Sequence, residues 1–256
     1  MVAAPFEAQT TDNYNARVHK HAPSENPDQT ATLLHVREIH HYNDWIWSFL
    51  QPFVRGHVVE VGCGIGTYST RLRPLADRLT CIDMEPAYAR TVRRHFAADD
   101  GVDVLLARLP ESVGLRPAGT DLVVCLNVLE HIAKADEAVA AMRTWLRPGG
   151  HLFLQVPAHN WLYGSIDSAV GHQQRYRADE VNAVLTRHGF VLERPARHLY
   201  ALGIPGWWWF GRVAHRTLVP EGSVRLANTL VRVSRALEHV VRLRLGLTLV
   251  AAGRRA

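Results

Sequence analysis

Lysine is almost missing from this chain. Only Lys20 and Lys134 are lysine among its 29 basic residues, and the remainder are arginine. That bias speaks of coding composition more than of chemistry. Cysteine is scarce as well: Cys63, Cys81 and Cys125 lie far apart, with no C-x-x-C pair and no zinc-finger spacing. A disulfide scaffold is thereby excluded, and a reducing compartment is expected. The 15 histidines form no H-E-x-x-H motif, so no metal centre is expected. No apolar run reaches membrane-spanning length. The opening residues, M-V-A-A-P-F-E-A-Q, lack a basic lead and an apolar stretch, so no secretory leader and a cytoplasmic protein are expected. Internal repeats and low-complexity segments are absent.

Charge is present but unevenly placed. From Arg212 onward nine arginines face two acids, a net of +7 within a chain whose formal net charge is +5. The remainder is therefore slightly acidic. A basic C-terminal region favours acidic partners or membrane surfaces. It lacks the interleaved aromatics of nucleic-acid readers, so no nucleic-acid partner is expected.

The most informative stretch is V-V-E-V-G-C-G-I-G-T, Val58 to Thr67. A short apolar run that stops abruptly reads as a buried parallel strand. Gly62, Gly64 and Gly66 then let the backbone turn sharply and approach a ligand. Glu60 would be costly to bury alone, and a cationic ligand would relieve it. Dinucleotide enzymes want G-x-G-x-x-G, which would put a third glycine at position 67, where Thr67 stands. The glycines fall instead as E-x-G-x-G-x-G. A glycine turn that binds nothing is the plain alternative.

Asp83 closes a second apolar run, R-L-T-C-I-D, 17 residues past Gly66. An acid at that tip is placed to accept from both hydroxyls of a ribose, or else to cap the next helix. Thr120 to Ile132 reads T-D-L-V-V-C-L-N-V-L-E-H-I, and Leu146 to Pro157 reads L-R-P-G-G-H-L-F-L-Q-V-P.

Taken in order, these four segments resemble the class I S-adenosylmethionine-dependent methyltransferases, over about 100 residues. The resemblance implies that Glu60 meets the amino end of the methionine moiety and that Gly62, Gly64 and Gly66 lie beneath it and the sugar. It implies that Asp83 grips the ribose and Met84 packs on adenine. Asn127 would floor the methyl group, with Val128 near the sugar, and Tyr14 would belong to a lid over the methionine end. Many family members hold adenine with an acid after the third strand. Here Ala107, Arg108 and Leu109 occupy that place, so backbone groups of Arg108 and Leu109 are expected to serve. Glu130 and His131 are expected to begin the helix after the fourth strand, where an acid suits the dipole.

Alternating strands and helices predict an α/β fold, a doubly wound, mostly parallel sheet of seven strands. Strands are expected near 57–62, 78–83, 102–106, 120–126, 150–156, 189–194 and 247–253. By resemblance the last is antiparallel and sits between the fifth and sixth. Helices are expected over 30–50, 66–73, 86–97, 133–146 and 178–188. The expected parts are an N-terminal arm and lid helix (1–54), a cofactor-binding core (55–199), a helical insertion or cap (200–245) and a final core strand (246–256). Within the insertion, Trp207, Trp208 and Trp209 precede a stripe of Leu226, Leu230, Val233, Leu237 and Val240 at 4-3-4-3 spacing. That stripe is expected to cover the sheet or the active site, with a homodimer contact or a membrane-surface contact as alternatives.

Ligands of open α/β sheets bind beyond the carboxyl ends of the strands. The loop after the fifth strand therefore reaches over the methyl group. It carries His159, Trp161, Tyr163, Asp167, His172 and Tyr176, in a pattern that resembles bacterial small-molecule methyltransferases of natural-product type. His159 or His172 is expected to act as general base and Tyr163 to orient the acceptor. The alternative is a structural network of Asp167, His172, Arg175 and Tyr176. The expected function is methyl transfer to O, N or C of a small aromatic or heteroaromatic metabolite. An NAD-linked oxidoreductase and a non-catalytic interaction module are the other readings.

Overall fold

The apolar runs become the strands of one sheet, and the glycines that stop them set its crossovers. The computed structural model describes residues 26–111, 113–240 and 243–256. Tyr14 lies outside these residues. In chain order the strands are β1 (His57–Val61), β2 (Arg78–Asp83), β3 (Val102–Leu106), β4 (Thr120–Leu126), β5 (Leu146–Pro157), β6 (Phe190–Leu199) and β7 (Thr248–Arg255). They lie in the order β3-β2-β1-β4-β5-β7-β6. β1 pairs in parallel with β2 and β4, while β7 runs antiparallel between β5 and β6. This is the expected fold, and the order reverses between β1 and β4, where ligands of doubly wound sheets bind.

Both faces of the sheet are covered, which is why its strands read as nearly continuous apolar runs. On one side Val59, Val61, Val123, Leu152 and Leu154 meet Met142 and Trp145 of α5 (Ala135–Trp145) and Val181 and Leu185 of α7 (Ala178–Arg187), which follows the short α6 (Ser165–Ala169). On the other side Val58, Leu79, Cys81 and Phe153 meet Trp45, Ile46 and Leu50 of α2 (His40–Leu50) and Val92 of α4 (Pro86–His95). The three cysteines are free and buried.

Several boundaries differ from expectation. The single helix expected over 30–50 is two, α1 (Pro27–Glu38) and α2. Ile39 leaves the helical conformation between them. The buried Asn43 amide donates to the carbonyls of Val36, Arg37 and Ile39, so the carbonyls exposed by the break are satisfied. The helix after the glycine turn shrinks to one turn, α3 (Ser69–Leu72). Glu130 and His131 do not begin a helix. They lie in a 3-10 turn, Leu129–His131, and α5 starts only at Ala135.

The apolar stripe of 226–240 is the largest departure. It belongs to a helix, α9 (Val224–Val240), but of the stripe only Leu230, beside Val231, packs on the core with Val58, Phe153 and Val250 of the sheet. Leu226, Val233, Leu237 and Val240 are exposed, while Val231, Ser234 and Glu238 are buried. The helix docks through Val231 and through polar groups: Ser234 Oγ accepts from Leu202 N at 3.2 Å, and Glu238 Oε1 accepts from Ala201 N at 3.2 Å. These two side chains cap the N-terminus of the 3-10 turn Ala201–Gly203. Ahead of α9, a short helix α8 (Ile204–Trp208) carries Trp207 and Trp208, and Trp209 follows it.

Candidate active site

The turn after β1 is built from left-handed glycines. Gly62, Gly64 and Gly66 have φ of +69°, +52° and +81°. At Gly62 a Cβ would stand 2.1 Å from Val128 Cγ2, so this position has room for hydrogen alone. Leu33 of α1 lies over Gly64, and with Leu34 it packs on Ile65 and Tyr88. The first described helix is therefore a lid on the glycine turn.

Two buried carboxylates support this turn. Asp83 Oδ2 accepts from Gly64 N at 2.7 Å, and Oδ1 accepts from Glu85 N at 2.9 Å. Its second lone pairs remain for a ribose. Burial pushes its pKa up to about 6 despite these bonds. Glu60 Oε2 accepts from Ser69 Oγ at 2.5 Å and from Cys81 Sγ at 3.9 Å, both neutral donors. Burial raises Glu60 to about 8. A carboxylate so placed is short of a positive partner. The amino group of S-adenosylmethionine supplies one, and the glycine cradle leaves space beside it. The residues present fit that cofactor.

The sign of the pH effect follows. Glu60 holds its proton in the folded protein where the unfolded chain has lost it. The free protein should therefore lose stability as pH rises from the ordinary carboxylate range to about 8. Binding an ammonium ionises Glu60, so titration with S-adenosylhomocysteine near neutral pH should release close to one proton. Calorimetry in buffers of different ionisation heats measures this. Glu60→Gln should remove the release and weaken binding about 10- to 100-fold, the effect of losing a charged hydrogen bond.

Met84 is exposed beside Asp83, Arg108 is exposed, and Leu109 is buried in the core. Asn127 follows β4 with φ +52°, is exposed, and donates its N–H to the Gln155 carbonyl at 2.9 Å.

The structure gives the two candidate histidines different surroundings. His159 stacks on His198, with centroids 4.8 Å apart, beside Trp161. These residues line an open hollow of about 370 Å³ whose walls include none of Glu60, Asp83 or Glu130. Burial, and then Arg175, lower the His159 pKa. Tyr163 does not have a free hydroxyl: it donates to the His172 carbonyl at 2.8 Å.

His172 sits in a chain of charges. Its Nδ1 donates to Asp167 Oδ1 at 2.7 Å, since a carboxylate only accepts. Its Nε2 then faces Glu130 Oε1 at 3.8 Å. Glu130 is fully buried, and neither of its oxygens has a hydrogen-bond partner. Burial raises it to about 7, although His172 pulls the other way. His131 meets His172 edge to face, and burial lowers His131 to about 4. Donor atoms of Glu130, His131 and His172 lie within 4.8 Å of one another. Asp167 also accepts from Arg175 Nε at 2.8 Å, and Arg175 lies over the Trp207 ring. Of the network given as the alternative, Asp167, His172 and Arg175 are joined, with Glu130 and Trp207 beside them, while Tyr176 bonds instead to Gln174 and to the Leu129 carbonyl.

Gln155 is a polar residue of this region that the motifs do not mark, and it meets Tyr42 of α2. Gln155 Nε2 donates to Tyr42 Oη at 2.8 Å, and its buried Oε1 has no partner. A glutamine inside the apolar strand F-L-Q-V-P was a signal that a polar wall begins there.

Comparison with known proteins agrees with this geometry. Residues 59–152 match the family described as "Methyltransferase domain". A ubiquinone biosynthesis O-methyltransferase of Xanthomonas axonopodis pv. citri is 27% identical over 58% of this chain and 61% of its own length. The chain thus matches less than two thirds of that relative. An S-adenosylmethionine-dependent methyltransferase from Mesorhizobium loti superposes with a TM-score of 0.60 at 16% identity, covering 84% of this chain and 98% of that one. A geranyl diphosphate methyltransferase solved in complex with S-adenosylmethionine gives 0.60 at 16% identity, covering 87% and 90%. Residues 59–152 thus resemble a methyltransferase domain, and the chain has the fold of these solved S-adenosylmethionine-dependent methyltransferases.

Proposed function

We propose that the protein is an S-adenosylmethionine-dependent methyltransferase that methylates a hydroxyl of a small aromatic acceptor. The observation that carries this reading is Glu60, buried with neutral partners under a glycine turn that only hydrogen fits at Gly62. The name of the ubiquinone-pathway relative supports oxygen as the methylated atom. It also points to quinone-type metabolism in place of the natural-product subgroup.

When bound, the cofactor supplies an electrophilic methyl group on a sulfonium. The chain has three tasks. Glu60, the glycine turn and Asp83 hold the methyl donor in place. The loop 158–176 positions the acceptor on the methyl axis, where orientation contributes several kcal/mol. A phenolic hydroxyl must also lose its proton, and the Glu130–His172 pair is the proton acceptor. With Nδ1 held by Asp167, His172 presents Nε2 as a base, and Glu130 stabilises the imidazolium that forms. His159 lacks such a carboxylate and serves as a wall of its hollow.

Glu130→Gln and His172→Gln should each lower turnover about 100-fold or more, with cofactor affinity kept. Turnover of the unaltered protein should rise with pH through about 7, where Glu130 ionises, and Glu130→Gln should flatten that limb. Turnover unchanged in both variants, or lost only in His159→Gln, would reassign the base.

A further inference from the structure

We infer that α9 docks the protein on an anionic lipid bilayer, lying in the plane of the headgroups. The inference is independent of the methyl-transfer reading. Leu226, Val233, Leu237 and Val240 share one face of the helix and are 60%, 45%, 50% and 86% exposed. They run about 21 Å along the axis at 1.5 Å per residue. A helix of a folded protein ordinarily turns such a stripe inward. Here the inward face is a different one: Val231 and Leu230 pack on the core, Ser234 and Glu238 cap the turn at Ala201, and Asn228 Nδ2 donates to the Glu38 carbonyl at 3.1 Å. These bonds fix the helix rotation, so the outward stripe is a consequence of the native docking.

Charge identifies the occupant. Arg225 and Arg232 are exposed beside the stripe, and Arg235 is half-buried. The only acid of the helix is Glu238, which is buried. An apolar stripe flanked by arginine and free of exposed acid matches an anionic headgroup layer above acyl chains. A second copy of the chain would set arginine against arginine across the contact. No helix among the described residues is long and apolar enough to cross a membrane, so the contact is superficial.

The test is flotation of the full chain with vesicles of phosphatidylcholine alone, and of phosphatidylcholine mixed with phosphatidylglycerol. Binding is expected to the anionic vesicles at low salt and to weaken at high salt. The triple variant Leu226→Ser, Val233→Ser, Leu237→Ser should bind more than about tenfold more weakly. Arg225→Gln and Arg232→Gln should each cost about fivefold. All of these side chains are exposed, and a melting curve checks that each variant folds. Wild-type protein that stays off anionic vesicles at low salt overturns the proposal. Equal flotation of the serine variant does so too. A dimer that the serine variant dissolves, seen by sedimentation equilibrium with the vesicles left bare, would assign the stripe to self-association.

Discussion

Gly62→Ala is expected to abolish measurable binding of S-adenosylhomocysteine and to lower the melting temperature by several degrees. Two costs coincide at this residue. Its φ of +69° is a left-handed conformation, which costs a residue with a Cβ about 1–2 kcal/mol. The new methyl would also stand 2.1 Å from Val128 Cγ2. Val128 follows the β4 tip, so relief requires the tips of β1 and β4 to spread, at a typical overpacking cost of about 1–3 kcal/mol. The same spreading widens the crevice that the cofactor fills. Gly64→Ala is the internal comparison. Its φ is +52°, but the nearest side-chain atom, Leu33 Cδ1, is 3.4 Å from the added carbon. It should show the strain without the clash, and a smaller loss. Calorimetry and thermal melts of the two variants check the ranking, and equal behaviour would contradict it.

Asp167→Ala should be the most destabilising change in the acceptor loop. Asp167 accepts from His172, Arg175, the Gly164 N–H and Trp207 Nε1. Arg175 is 1% exposed, and its other partner is the Ala158 carbonyl. Removing the carboxylate strands a buried guanidinium, a loss of about 3–5 kcal/mol. Urea denaturation measures it. Asp167→Ala combined with Arg175→Met should recover much of that loss, because the buried charge goes with its partner. Failure of the double change to recover anything would mean that the loop is held by packing instead. The pH dependence has the opposite sign to that of Glu60. Burial alone would raise the Asp167 pKa, but the His172 hydrogen bond and the Arg175 charge more than offset it and hold the carboxyl low. Its contribution is present above the ordinary carboxylate range and is lost as pH falls through the depressed value.

What was legible in the sequence depended on how local its cause is. β1, β2 and β4 were readable because a parallel strand buried on both faces needs an unbroken apolar run, and because the turn after β1 demands glycine. The place of β7 between β5 and β6 came from resemblance, since nothing in T-L-V-A-A-G states a direction. The break at Ile39 was hidden because the carbonyls it frees are capped by Asn43, which the apolar pattern ignores. Glu130 was read as a helix-start acid. Its isolation depends on α5 beginning only at Ala135 and on His172 arriving from a distant loop. The outward turn of most of the α9 stripe is hidden for the same reason. Periodicity gives the face, but Val231 and the polar caps at Ala201 and Leu202 decide which face turns inward.

The central claim is that the β1 turn, with Glu60 beneath it and Asp83 beside it, holds an S-adenosyl nucleoside. Calorimetric titration of the full chain with S-adenosylhomocysteine, and separately with NADH, tests it most directly. A single saturable site for S-adenosylhomocysteine is expected, lost in Gly62→Ala and weakened in Glu60→Gln, with no heat from NADH. Saturable binding of NADH, or no binding of S-adenosylhomocysteine by the unaltered protein, would contradict it.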